Sequence, residues 1–264
     1  EPGIGKSTLI LQSAAKISLF EKVLYITAEE SLEQIKIRWE RLDQKSSDLR
    51  IFADNNLFSI INEIQRLKPS IAIIDSIQAI NNTEMESSSG SVSQVRSCSS
   101  ELQNFAKRHN IALLIIGHVT KDGSLAGPKT LEHLVDVVLN FEGDHIASRR
   151  LLRGVKNRFG ATLELGVFEM KENGLIEVNN PNSSFTNHEN ISGVATTITL
   201  EGTRSFAVDI QALVNKSFYP NPKRTTTGIN INRVHQILAV LEKHIKIQLS
   251  SYDCYLATAG GFEI

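Results

Sequence analysis

The first nine residues, Glu1-Pro2-Gly3-Ile4-Gly5-Lys6-Ser7-Thr8-Leu9, restrict this chain more than any other stretch. They match the pattern G-x-x-x-x-G-K-[ST] apart from its first glycine, which would stand one position before Glu1. The chain therefore reads as a piece of a longer protein. Gly3 and Gly5 let the backbone curl so that its N–H groups face phosphates. Lys6 reaches the β and γ oxygens, and the Ser7 hydroxyl ligates Mg²⁺, with Ile4 and Thr8 completing the nucleotide-binding run. The helix expected next, apolar at Leu9, Ile10, Ala14 and Ile17, aims the positive end of its dipole at the same anion. A nucleoside triphosphate thus stands at the centre of the expected chemistry.

The hydrophobic pattern that follows alternates between two periods. Val23 to Ala28 is a strand-length run of β-branched and aromatic residues. Ser31 with Gln34 then gives a capping-box signal before Leu32, Ile35, Trp39 and Leu42 at helical spacing. The same alternation gives a strand over Leu49 to Ala53, a helix from Leu57 to Leu67 stopped before Pro69, and a buried strand over Ile71 to Ile74 that ends in Asp75. A helical stripe over Val92, Val95, Cys98, Leu102 and Phe105 precedes a strand over Ala112 to Ile116. Apolar strands separated by helices predict an α/β fold with a mostly parallel sheet.

From Val137 the pattern changes to strands without helices: Val137 to Phe141, Leu151 to Val155, Leu163 to Met170 and Leu175 to Val178. These are expected to extend the sheet in antiparallel fashion. Residues 179–193, which open Asn-Asn-Pro-Asn-Ser-Ser, read as a linker between domains at 1–178 and 194–264. In the second, strands are expected over Ala195 to Leu200, Phe206 to Val214 and from Cys254, with a helix over Asn232 to Ile245. It reads as an α+β domain cut short. Glu84 to Ser93, rich in serine, reads as a mobile loop.

Composition sets limits. With 264 residues and a net charge of −1, the chain is globular and not basic overall, so any nucleic-acid affinity must be local. Cys98 and Cys254 stand far apart without a C-x-x-C partner, which fits a reducing cytoplasmic setting and neither a disulfide framework nor a zinc site. No apolar run reaches membrane-spanning length.

Hydrolysis needs more than a phosphate loop. Asp75 closes its strand where a carboxylate can enter the metal shell beside Ser7. Glu29 follows the strand after the phosphate-loop helix, at the strand ends where ligands of open sheets gather, and is the candidate general base, with Glu30 as neighbour. His118 is placed to sense the γ-phosphate and pass that state to the loop from Thr120 to Lys129, whose glycines and whose lysines, Lys121 and Lys129, suit contact with a nucleic-acid strand. Arg149 to Arg158 holds five basic residues and no acid, and it ends in Lys156-Asn157-Arg158-Phe159-Gly160.

In order, the phosphate loop, Tyr25-Ile26-Thr27-Ala28-Glu29-Glu30-Ser31, Ile73-Ile74-Asp75-Ser76-Ile77-Gln78, Gly117-His118-Val119-Thr120-Lys121-Asp122-Gly123, Leu131-Glu132-His133-Leu134-Val135-Asp136 and the Lys156 to Gly160 pentad closely resemble the bacterial RadA (Sms) family of RecA-related DNA repair ATPases. The resemblance covers essentially all of the chain, and the pentad is its most specific element. It implies a RecA-like P-loop ATPase core followed by the start of a Lon-protease-like domain of the ribosomal S5 domain 2 type. It also implies ATP and Mg²⁺ as cofactors, with Glu29 as catalytic glutamate and Asp75 as Walker B acid. Lys156 and Arg158 would act across a subunit boundary or couple the nucleotide to DNA. The assembly implied is a cytoplasmic hexameric ring on single-stranded DNA that drives branch migration of recombination intermediates alongside a RecA-type recombinase. The loops at Glu84 to Ser93 and Lys121 to Lys129 would face the DNA. The family's zinc belongs to a four-cysteine N-terminal module outside these residues, and Ala28 stands where a glycine is common. A nucleotide-switch ATPase of the same superfamily without a DNA track is the second reading; an ATP-dependent protease is the third.

Overall fold

The computed structural model describes residues 3–42, 44–118, 129–143, 149–162, 164–178, 186, 191–201, 204–259 and 262–264. The chain divides into two compact units, residues 1–162 with 168–177, and residues 163–167 with 178–264.

In the first unit, strands β1 (Val23–Thr27), β2 (Leu49–Ala53), β3 (Ile71–Asp75) and β4 (Ala112–Ile115) form a parallel sheet in the order β2-β1-β3-β4. Side chains of a strand alternate between faces, so each strand feeds two cores. Val23, Tyr25 and Ile73 pack with Leu11 and Ala14 of helix α1 (Lys6–Ile17) and with Ile35 and Leu42 of α2 (Leu32–Leu42). Leu24, Ile26, Ala72 and Ile74 pack on the other side with Ile60 and Ile64 of α3 (Leu57–Leu67) and with Val95, Cys98 and Leu102 of α4 (Val92–Arg108). All five residues of β1 are buried, and each large apolar side chain there contributes about 1.5–3 kcal/mol.

Local chemistry sets the helix ends. Ser31 and Gln34 form the expected reciprocal box at the start of α2. The Asn56 side chain accepts from the N–H groups of Phe58 and Ser59 to open α3, which closes at Lys68 in the left-handed region, just before Pro69. Ser91 caps α4 by accepting from the Gln94 N–H.

Beyond the short helix α5 (Lys129–Glu132), strands β5 (Val137–Gly143), β6 (Arg149–Asn157), β7 (Leu165–Lys171) and β8 (Gly174–Glu177) form a second sheet in sequence order. Among the described residues this antiparallel set has its own hydrogen-bonded ladder rather than joining the parallel one, and Leu163 lies outside them. Gly174, at φ 111°, permits the turn into β8. The Gln12 side chain on α1 then clips the hairpin by accepting from Leu175 N at 2.9 Å and donating to Leu175 O at 3.2 Å.

The second unit carries β9 (Val194–Glu201), β10 (Arg204–Lys216), β11 (Arg224–Thr227), helix α6 (Ile231–Ile245) and β12 (Tyr252–Thr258), with sheet order β11-β12-β10-β9. Phe206, Val208, Val234, Cys254 and Phe262 are buried in it, and the rings of Phe206 and Phe262 lie 5.3 Å apart. Strand β11 escapes a reading by hydrophobic pattern because Arg-Thr-Thr-Thr has no apolar residue. Most of residues 179–193 lie outside the described residues.

Candidate active site

The parallel sheet brings the ends of β1 and β3, the residues after β4 and the start of α1 to one edge, where open α/β sheets bind ligands. Gly3 and Gly5 have φ of 78° and 104°, a backbone conformation that favours glycine. A Cβ on Gly5 would also meet Met170 Cε, so the antiparallel sheet closes against the loop and its flexible methionine would have to shift for a side chain there. The Arg150 Nε–H donates to Ile4 O at 2.8 Å and ties β6 to the same loop. Gly5 is the N-cap of α1 and supplies no side-chain cap, so the first N–H groups of the helix suit an anion. Thr8 is buried in that first turn.

Four of the residues expected to carry chemistry meet here. Lys6 Nζ donates to Gly117 O at 3.0 Å and approaches His118 Nδ1 at 2.9 Å. An ammonium can only donate, so Nδ1 is the acceptor and the ring proton sits on Nε2, which lies 3.9 Å from Glu29 Oε1. Burial lowers the pKa of Lys6, against the pull of Asp75 and Glu29. Burial and then the Lys6 charge lower that of His118, which keeps the imidazole neutral near pH 7. The Glu29 side chain is 46 % exposed, open enough to meet water, and its Oε1 accepts from the Ser76 hydroxyl. Gln78 Nε2 donates to His118 O at 3.1 Å, so the start of the loop after β4 is held from two sides.

Asp75 is 6 % exposed, and its Oδ2 accepts from the Tyr25 hydroxyl at 2.5 Å. Ser7 and Asp75 supply a hydroxyl and a carboxylate, the hard oxygen donors that Mg²⁺ takes. Among the described residues no group of three or more His, Cys, Asp or Glu forms a cage. A hydroxyl and a single carboxylate suit a metal shared with phosphates.

The pentad has different partners. A register shift opposite Val138 and Leu139 makes Val155 an extra residue in β6, and such a bulge re-aims the side chains beside it. Lys156 Nζ donates to Glu132 O at 2.5 Å and Val135 O at 2.7 Å. Arg158 pairs with Asp136 at 3.0 Å. Asn157 folds the turn by accepting from Phe159 N and donating to Ala161 O. Among the described residues, neither Lys156 nor Arg158 is seen to bond to the Lys6 cluster. Lys121 lies outside the described residues; Lys129 opens α5, and its side chain is likewise outside them.

Pattern reading missed several contributors. Tyr25, Ser76, Gln78 and Arg150 act through contacts 47 to 146 residues apart in sequence, Gln78 excepted at 40. Strand parity was the available signal for Tyr25, two residues before Thr27, which pairs with Asp75. Gln94, fully buried, donates to Asn81 Oδ1, Asn82 O and Ser87 O and accepts from Asn82 N. It pins the serine-rich loop that its composition marked as mobile.

Comparison with known proteins places these observations. A family model described as an AAA domain matches residues 1–124. The whole chain is 49% identical to the DNA repair protein RadA of Synechocystis sp. over 284 residues, and 48% identical to those of Streptococcus pneumoniae and Listeria monocytogenes. It spans 56%, 63% and 58% of the length of these three relatives. Among solved structures, a KaiC-like protein from Pyrococcus horikoshii aligns with a TM-score of 0.52 at 16% identity, covering 67% of this chain and 85% of that one. That likeness shows the RecA-like P-loop fold.

Proposed function

We propose, from the premise that a chain homologous along its whole length to RadA proteins belongs to the RadA family, that it carries the ATP-hydrolysing core of a motor on single-stranded DNA. The observation behind this is the meeting of Lys6, Glu29, Asp75 and His118 at one sheet edge. Lys6 and the N–H groups of the loop bind the phosphates, and Ser7 and Asp75 hold Mg²⁺, which neutralises charge on the transferring phosphoryl group. Glu29 orients and deprotonates the attacking water. Ser76 fixes the Glu29 carboxylate from one side, with the neutral His118 imidazole on the other. His118 lies two residues before the loop carrying Lys121 and Lys129, so a change at the γ-phosphate is passed to a DNA contact.

In the same reading, residues 1–178 are the ATPase domain, 179–193 the linker and 194–264 the start of a Lon-like domain. Lys156 and Arg158 serve a neighbouring subunit's nucleotide or the DNA in a hexameric ring, and the motor drives branch migration with a RecA-type recombinase in the cytoplasm. No described helix is long and apolar enough to cross a membrane.

Salt-dependent binding of single-stranded DNA by the full-length protein tests the DNA track. Phosphate contacts release counterions, so affinity is expected to fall steeply and linearly on a log–log salt plot, by about 0.7 per contacted phosphate. A flat response would favour a nucleotide switch without a track.

A further inference from the structure

The buried tyrosine behind the metal-binding carboxylate has no place in the reaction described so far. Tyr25 is fully buried in the middle of β1, and its ring packs among Leu11, Ile35 and Ile73. A phenol at such a position needs a hydrogen-bond partner, and an apolar phenylalanine would fill the same space at less cost. The partner is Asp75 Oδ2, at 2.5 Å. Strand pairing explains the reach: Thr27 stands opposite Asp75, and Tyr25, two residues earlier, lies on the same sheet face. Beside this contact Arg38 pairs with Glu30 at 2.5 Å, and its charge bears on both Tyr25 and Asp75.

We infer that Tyr25 is a positioning residue for Mg²⁺. Its hydroxyl occupies one oxygen of Asp75, fixes the rotation of the carboxylate and leaves the other oxygen for the metal. This rests on Asp75 being a metal ligand. A carboxylate that can rotate spends part of its time misdirected, and loss of such an outer hydrogen bond characteristically weakens metal binding by about 10–100-fold. The charges of the Glu30–Arg38 pair also act on this hydroxyl.

The test is binding of a fluorescent ATP analogue to the full-length protein, titrated with Mg²⁺ and repeated in EDTA, for wild type, Tyr25→Phe and Asp75→Asn. Tyr25→Phe is expected to bind the analogue normally in EDTA, to need about tenfold more Mg²⁺ for half of the metal-dependent change, and to recover in part with Mn²⁺, which binds the same ligands more tightly than Mg²⁺. Asp75→Asn is expected to lose more of that change than Tyr25→Phe. An unchanged Mg²⁺ requirement in Tyr25→Phe beside a raised one in Asp75→Asn overturns the inference and leaves the Asp75 assignment standing. No metal effect in Asp75→Asn overturns both. If Tyr25→Phe loses analogue binding in EDTA or no longer melts cooperatively, the hydroxyl serves the fold rather than the metal, and the inference is overturned.

Discussion

Two sets of charged side chains in the first unit are held in different ways. At the edge of the parallel sheet, Lys6, His118 and Glu29 face one another, and hydroxyls of Ser76 and Tyr25 hold Glu29 and Asp75. At the end of β6, Lys156 rests on the backbone carbonyls of Glu132 and Val135, and Arg158 on Asp136. The first set brings a cation, an imidazole and two carboxylates within electrostatic reach of one another, the geometry of a site prepared for chemistry. The second is bound to its own chain, so service to a neighbour or to DNA requires it to exchange those partners. On the proposed reading, one region acts as it stands and the other has to change partners.

The sharpest way to break this contrast is Glu29→Gln. If Glu29 activates water, hydrolysis falls by about 10²–10⁴-fold while ATP binding persists, as single-turnover hydrolysis and equilibrium binding would show. Loss of binding together with hydrolysis would make Glu29 a structural member of the cluster. Next in size is Lys156→Ala. ATP binding is expected to remain while hydrolysis or its stimulation by DNA is lost, and losing the hydrogen bonds to two partly exposed carbonyls costs on the order of 1 kcal/mol in denaturant unfolding. Loss of ATP binding in a folded Lys156→Ala protein would merge the two regions into one site.

The smallest effect concerns pH. His118 has its pKa lowered from 6.5 by burial and by Lys6, so between the lowered value and 6.5 the unfolded chain holds a proton that the folded chain lacks. Its contribution to stability is therefore complete above pH 6.5 and is lost as pH falls through the lowered value. Denaturation midpoints of His118→Ala and wild type are expected to converge on acidification; a gap independent of pH would contradict the neutral imidazole.

Much of the fold was legible because its signals are local. Period-2 and period-3.6 patterns, the Ser31–Gln34 box and the stop before Pro69 each lie within a few residues, and β1 to β4 with α1 to α4 appear where those patterns stand. The placement of Asp75 and Glu29 at strand ends was legible because it follows from element order. What stayed hidden depends on long-range packing. Nothing near Arg150 or Met170 shows that an antiparallel sheet braces Ile4 and Gly5. Nothing near Lys156 shows that its ammonium lies on the turn after α5, since the Val155 bulge that aims it forms only against β5. Nothing near Gln94 shows its burial, which follows from the loop folding back over it.

The central claim is that the Lys6–Glu29–Asp75 cluster hydrolyses ATP in response to DNA, and steady-state phosphate release by the full-length protein tests it most directly. The account predicts that single-stranded DNA at low salt raises the turnover of wild type and leaves Glu29→Gln flat. Equal wild-type turnover with and without DNA, or DNA stimulation that survives in Glu29→Gln, would contradict it.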